Sequence, residues 1–172
     1  MNTAEIYHIP TNVKAEIDRW VLKFPPEQKR SAIVAALLLV QEANGGYLTQ
    51  PALKAIADYL EQPQIAVYEL ATFYDMLELN PIGKHKISIC TNLSCQLMGC
   101  DKVVTRLKER LGINLGETTA DGQFTLREVE CLAACGQGPV CQIDNKDYVG
   151  NLTPEKIDEL LAKLTKGEGY AA

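Results

Sequence analysis

Cysteine is missing from the first 89 residues of this 172-residue chain, and only two histidines, His8 and His85, occur anywhere. Neither histidine lies in ligand spacing with the cysteines, which excludes the two-histidine ligation of a Rieske-type centre. An excess of positive charge is also absent, because 22 Asp and Glu outnumber 17 Lys and Arg and the formal net charge is −5. A chain without a basic field lacks the main attraction of proteins for nucleic acid and for anionic membrane surfaces.

Long apolar segments are missing as well. The longest apolar run, residues 32–40, has nine residues, whereas a helix that crosses a bilayer needs about 20. Residues 1–8 contain no positive region followed by an apolar core, so they are not expected to form a signal peptide. We therefore expect an intracellular, cytoplasmic protein with no direct membrane insertion.

The interval from Ala55 to Gly83 contains no lysine or arginine, although it carries five acidic residues. Two short helices joined by a tight turn in this interval could form a DNA-binding helix-turn-helix. A recognition helix without cations would have almost no electrostatic affinity for phosphate. We therefore predict a helical packing module with no nucleic-acid partner, in which Phe73 and Tyr74 lie in the core or at a subunit interface.

The spacing of apolar residues changes at residues 80–83, which read Asn-Pro-Ile-Gly and mark a boundary. Residues 1–80 show helical spacing in four segments, whereas residues 81–172 begin with the alternation of a strand. The second part then reads β-α-β-β-β-α, which is the thioredoxin-like order. We predict an α+β protein with an N-terminal helical bundle over residues 1–80 and a thioredoxin-like domain over residues 81–172.

All six cysteines fall between Cys90 and Cys141. In a reducing compartment they are better explained as metal ligands or small buried hydrophobes than as disulfides. Four of them form two pairs, C-x4-C and C-x3-C, each of which follows a strand-like run, at Cys90 and Cys95 and at Cys131 and Cys135. Two close pairs from separate loops supply the four thiolates of a [2Fe-2S] cluster, two for each iron.

Other uses of the cysteines stay open on spacing alone. Structural zinc also takes four cysteines, although its usual knuckle is C-x2-C, so a zinc-stapled interaction module is the non-redox alternative. Disulfide exchange of the thioredoxin type needs C-x-x-C, which is absent. Cys95 and Cys100 repeat the C-x4-C spacing, but Cys90 ends a predicted strand and is favoured for the first pair. Cys141 is predicted to be a small buried hydrophobe.

Several motifs together resemble the family of the 24 kDa, or E, subunit of respiratory complex I. The likeness covers essentially the whole chain, and its cysteine motifs are specific. The matching residues are Thr72-Phe73-Tyr74, Pro81-x-Gly83-Lys84, Cys90-x4-Cys95, Gly99, Gly116-x-Thr118-Thr119-x-Asp121-Gly122-x-Phe124-Thr125-Leu126 and Cys131-Leu132-x-x-Cys135-x-x-Gly138-Pro139.

The resemblance implies a thioredoxin-like [2Fe-2S] ferredoxin domain after a helical region that helps to hold two subunits together. It implies one cluster, with the metal ligands Cys90, Cys95, Cys131 and Cys135, and no catalytic residue. Many relatives have glycine where this chain has Ala133 and an apolar residue where it has Cys141, and neither departure removes a ligand.

The function implied by the resemblance is single-electron exchange with the FMN of a partner that binds FMN and oxidises NADH, within NADH:quinone oxidoreductase. Other peripheral-arm subunits are further partners, on the cytoplasmic side of the inner membrane. No Walker loop and no G-x-G-x-x-G after a strand occurs, so the chain alone is expected to bind neither NADH nor flavin and to have no NADH activity. Relatives also serve NAD-linked hydrogenases and formate dehydrogenases.

Overall fold

The computed structural model describes residues 6–167 and divides into two compact units, which meet in sequence between Pro81 and Ile82. The first unit is helical and the second contains a four-stranded sheet with helices. Over residues 6–167, no helix is both long and apolar enough to cross a membrane.

Over residues 6–81, the first unit consists of four α-helices and one 3-10 segment. Helix α3 begins at a side-chain cap, because the Thr49 hydroxyl accepts a hydrogen bond from the Ala52 N–H at 3.3 Å. The left-handed conformation of Glu61, with φ of 56°, then ends this helix. The helices are α1 (Thr11–Val21), α2 (Ile33–Ala43), α3 (Gln50–Leu60) and α4 (Gln64–Phe73), and the 3-10 segment is Pro26–Ala32.

The core of this unit gathers around α2. Fully buried side chains from α1, α2 and α3 meet there, among them Ile17, Ile33, Leu37, Ile56 and Leu60. The segment after α4 is fastened to α2 by the side chain of Gln41, which donates to the Met76 carbonyl at 3.0 Å and accepts from the Glu78 N–H at 2.7 Å. Both polar ends of this buried amide are therefore satisfied.

Over its described part, residues 82–167, the second unit contains four strands and three α-helices. The strands lie in the order β2-β1-β3-β4, with β1 parallel to β2 and antiparallel to β3. The elements are β1 (His85–Cys90), α5 (Leu93–Leu97), α6 (Cys100–Leu111), β2 (Phe124–Val129), β3 (Cys141–Ile143), β4 (Asp147–Val149) and α7 (Pro154–Thr165). The predicted β-α-β-β-β-α order is present, with the short helix α5 as an addition.

Helices α6 and α7 share one core with the strands. Leu107 from α6 and Ile157 and Leu160 from α7 are fully buried beside the apolar side chains of β1 and β2. The Arg106 guanidinium joins the two helices because it donates two hydrogen bonds to the Asp158 carboxylate. This cation holds the pKa of the Asp158 carboxyl below its ordinary value.

The start of β1 is fixed to β2 by a buried hydroxyl. Thr125 is fully buried, and its Oγ1 accepts a hydrogen bond from the Gly83 N–H at 2.6 Å. The same oxygen shares a hydrogen bond with the Thr118 hydroxyl at 2.8 Å. Gly83 is needed at this point, because a Cβ there would lie 2.9 Å from the backbone of Phe124.

Replacing Thr125 by valine tests this attachment. Thr125→Val keeps the shape of the side chain but leaves the Gly83 N–H without its acceptor, so we expect the free energy of unfolding to fall by about 1–3 kcal/mol. Urea titration of the full chain measures the change. The control is Thr105→Val on the exposed side of α6, which should change stability by less than about 0.5 kcal/mol. Equal losses in the two variants would contradict the assignment.

Candidate metal centre

Both predicted cysteine pairs begin at the same edge of the sheet. Cys90 is the last residue of β1, and it lies opposite Val129, the last residue of β2. The strands are parallel, so their carboxyl ends meet at one edge, and Cys131 follows only two residues after β2. The loop from residue 91 to residue 99 and the loop from residue 130 to residue 140 therefore begin side by side.

The end of β1 and the first loop turn Cys90 and Cys95 inward. The Asn92 side chain accepts a hydrogen bond from the Leu93 N–H at 2.9 Å at the start of α5, which carries Cys95. Gly99 then adopts a left-handed conformation, with φ of 90°, before α6. Cys90 and Cys95 are 2% and 1% exposed, and they form one apolar cluster with Cys100 and Val140.

The two cysteines of the first pair are in contact. Burial raises the pKa of the Cys95 thiol to about 11, and a hydrogen bond with the Cys90 side chain adds to this rise. The backbone of Val140 acts in the opposite direction, because its hydrogen bond to the sulfur favours the thiolate. Cys90 Sγ also donates to the Glu130 carbonyl across 3.9 Å, which links it to the second loop.

The second pair is displayed differently. Cys131 and Cys135 are both exposed to solvent. The Ala133 N–H donates to Cys131 Sγ at 3.3 Å, and Ala133 itself has a positive φ of 54°. Glycine adopts this left-handed conformation without strain, so alanine is a less favourable residue than glycine at this position. Leu132 and Ala134, between the two cysteines, pack against the buried apolar cluster that contains Cys90 and Cys95.

Two glycines allow the second loop to approach its neighbours. A Cβ on Gly138 would lie 2.8 Å from Met98 Sδ and 3.5 Å from Cys95 Sγ, so this backbone lies directly against the first pair. A Cβ on Gly150 would lie 2.5 Å from the Cβ of Gln137 and 2.8 Å from its carbonyl oxygen. The loop is thus held between α5 on one side and the segment after β4 on the other.

Cys100 and Cys141, the two cysteines outside the predicted pairs, are both fully buried, in different apolar clusters. Cys100 belongs to the buried cluster, but its thiol donates to Gln96 Oε1 at 3.1 Å, and Gln96 Nε2 in turn donates to Asp101 at 2.6 Å. Burial, with the nearby Asp101 charge, raises the pKa of the Cys100 thiol. Cys141 is fully buried in β3, and burial raises the pKa of its thiol to about 12. The prediction that Cys141 is a small buried hydrophobe is confirmed.

The structure brings Cys90 and Cys95 into contact and places Cys131 and Cys135 in the adjoining loop, at the surface. In residues 6–167, no group of three or more His, Cys, Asp or Glu side chains lies close enough to hold a metal ion. The donor set nevertheless fits a [2Fe-2S] cluster, which takes two pairs of thiolates from two loops. His85 is at the opposite end of β1, where its Nδ1 pairs with Asp144 Oδ2 at 2.9 Å.

A family model for thioredoxin-like [2Fe-2S] ferredoxins matches residues 17–165 of the sequence. Since this match covers most of the sequence, the chain belongs to the thioredoxin-like [2Fe-2S] ferredoxin family.

Within this family, the chain is most informatively compared with curated relatives that are subunits of a larger enzyme. The chain is 49% identical to the E subunit of the NADH-quinone oxidoreductase of Rickettsia bellii (strain RML369-C), over 84% of this chain and 86% of the relative. It is 42% identical to the E 2 subunit of the NADH-quinone oxidoreductase of Rhizobium meliloti (strain 1021), over 91% of this chain and 90% of the relative. The resemblance to the E-subunit family is confirmed.

A solved structure shows the same fold. The NAD+-reducing [NiFe]-hydrogenase in the H2-reduced state superposes with a TM-score of 0.65 at 21% identity, over 77% of this chain. The match spans only 22% of that hydrogenase chain, and at this identity it concerns the fold alone. Together with the family match, it confirms the predicted α+β, thioredoxin-like fold class.

Substitution of Gly150 tests how tightly the second loop is held. Gly150→Ala would place a methyl group against Gln137, so the loop must shift, and we expect the free energy of unfolding to fall by about 1–3 kcal/mol in a urea titration. Gly136→Ala is the matched control inside the loop, because a Cβ there meets no atom within 4 Å. A control loss as large as that of Gly150→Ala would show that the contact with Gln137 does not hold the loop.

Proposed function

We propose that Cys90, Cys95, Cys131 and Cys135 hold the single [2Fe-2S] cluster of an electron-transfer subunit of NADH-quinone oxidoreductase. The observation that carries the proposal is the parallel pairing of Cys90 with Val129, which starts both cysteine loops at one sheet edge. The first pair already has its two sulfurs in contact. Cys100 is left out, because its thiol is engaged with Gln96 Oε1.

The chain's residues hold and insulate the centre rather than take part in proton chemistry. A bound [2Fe-2S] cluster supplies a one-electron redox couple. Cys90 and Cys95 would hold it from the buried side, where Val140 and Leu132 limit the access of water. Cys131 and Cys135 would hold it from the surface, which leaves a short path for an electron to a docked partner. No general acid or base is required of this subunit.

The partner in this proposal is the subunit of the same complex that binds FMN and oxidises NADH. The curated relatives support it, because their names place them as subunits of an NADH-quinone oxidoreductase. The complex would lie on the cytoplasmic side of the inner membrane, where other peripheral-arm subunits are further partners. The alternative is the equivalent subunit of an NAD-linked hydrogenase or formate dehydrogenase, and the likeness to the NAD+-reducing hydrogenase concerns the fold alone.

The helical unit is the proposed subunit-interaction region. Helix α4 exposes Ile65, Tyr68 and Phe73, which are 62%, 41% and 78% exposed. Polar residues of this helix are also exposed. Aromatic residues surrounded by polar ones are typical of protein interfaces. Of the two predicted locations for this segment, core or interface, the exposure of Phe73 favours the interface, whereas Tyr74 is half-buried against the helical core.

Single cysteine substitutions test the ligand set. Cys90→Ser, Cys95→Ser, Cys131→Ser and Cys135→Ser should each lower the affinity for the cluster by about tenfold or more, because each removes a thiolate donor. Visible absorption and iron content after anaerobic reconstitution measure this loss. Cys100→Ser and Cys141→Ala are the controls and should keep the cluster. Retention by Cys90→Ser together with loss by Cys100→Ser would assign the first pair to Cys95 and Cys100 instead.

Substitution of Phe73 tests the interaction region. Phe73→Ala removes an exposed ring, so the free energy of unfolding should change by less than about 0.5 kcal/mol. The Kd for the purified FMN-binding subunit should rise by about tenfold, as for an aromatic interface residue. Tyr148→Ala, which alters an exposed aromatic residue of β4, should leave the Kd unchanged. An unchanged Kd for Phe73→Ala would remove α4 from the interface.

A further inference from the structure

The four proposed ligands differ sharply in how they can be reached. Cys90 and Cys95, the inner pair, are 2% and 1% exposed, whereas Cys131 and Cys135, the outer pair, are both exposed. A [2Fe-2S] cluster is larger than a water molecule, and a donor that delivers it intact would hold it by thiolates of its own. Such a donor can meet the outer pair at the surface of the chain, but it cannot meet the inner pair without a movement of the protein.

The outer loop is itself the cover over the inner pair. Leu132 and Ala134, between the outer cysteines, pack on the apolar group of buried side chains that contains Cys90 and Cys95. The backbone at Gly138 lies against Cys95, since a Cβ there would be 3.5 Å from Cys95 Sγ. A group that approaches the inner sulfurs from the side of Leu132, Ala134 and Gly138 must therefore displace the loop that carries the outer sulfurs.

The conformation of the outer loop also fixes Cys131 Sγ at the surface. The Ala133 N–H donates to Cys131 Sγ at 3.3 Å, within a turn in which Ala133 takes a left-handed conformation. The short 3-10 segment Cys135–Gln137 then returns the chain toward Gly138. The inner thiols, by contrast, are engaged with each other and with the Glu130 carbonyl.

We propose that the outer pair is the cluster-accepting site of this chain, and that Cys131 and Cys135 replace donor thiolates before Cys90 and Cys95 do. This order rests on the proposed function, because it requires the same four ligands. In each exchange, a sulfur–iron bond to the donor breaks and a bond from the cysteine sulfur to the same iron forms. The cysteine proton passes to the released donor thiolate, and no oxidation state changes.

The test uses the full chain without its cluster, under argon, with a glutathione-ligated [2Fe-2S] complex as the donor. Native mass spectrometry detects a mixed species that contains the chain, one cluster and bound glutathione. We expect this species to accumulate in Cys90→Ser and Cys95→Ser, whose outer pair is intact. In Cys131→Ser and Cys135→Ser its amount should be lower by about tenfold, because no exposed pair remains.

A second measurement avoids substitutions altogether. A short pulse of iodoacetamide on the cluster-free wild-type chain, read by peptide mass spectrometry, should label the outer pair about tenfold faster than the inner pair. A chain labelled in this way should then form no mixed species. Cys141, which is fully buried in the sheet core, serves as the internal control. It should be labelled more slowly than either the inner or the outer pair.

The outcomes separate this order from the function on which it rests. A wild-type chain that takes up no cluster at all overturns the proposed function, and the order with it. A wild-type chain that loads normally, while all four variants form equal amounts of the mixed species, overturns the order alone. Equal labelling of the inner and outer pairs likewise overturns the order and leaves the ligand set standing.

Discussion

The parallel pairing of β1 with β2 is the constraint on which the rest of the site depends. Its register sets Cys90 opposite Val129, so that two loops distant in sequence begin at one edge. A slip of one residue would turn the Cys90 side chain to the other face of the sheet. Strand β3 completes the arrangement from the other side of β1, because the Cys90 N–H donates to the Val140 carbonyl at 3.1 Å.

The loops that start at this edge have unequal roles. The first loop folds into a helix whose Cys95 joins Cys90 of β1 in an apolar cluster, while the second loop stays at the surface and covers this cluster. Two close backbone approaches, at Gly138 and Gly150, keep the second loop in place. In the proposed ligand set, a buried pair and an exposed pair would hold one centre, which would then be shielded from water on one side and accessible to a partner on the other.

Local signals in the sequence predicted most of the elements. Thr49 and Thr153 each accept a hydrogen bond at the start of a helix, and such caps can be read from the sequence because a cap depends only on its neighbours. Helix α5 was missed, since five residues are too few to show helical periodicity, although Asn92 is a cap signal. Burial depends on the whole fold, so the exposure of Trp20 and the full burial of Cys100 could not be predicted from spacing.

The central claim is that four cysteines of this chain hold one [2Fe-2S] cluster. The most direct measurement is the metal and sulfide content of the full chain purified anaerobically, with an EPR spectrum after reduction by dithionite. We predict about two irons and about two sulfides per chain, together with a rhombic S = 1/2 signal. A colourless chain that carries one zinc, even after attempted reconstitution of the cluster, would contradict the claim.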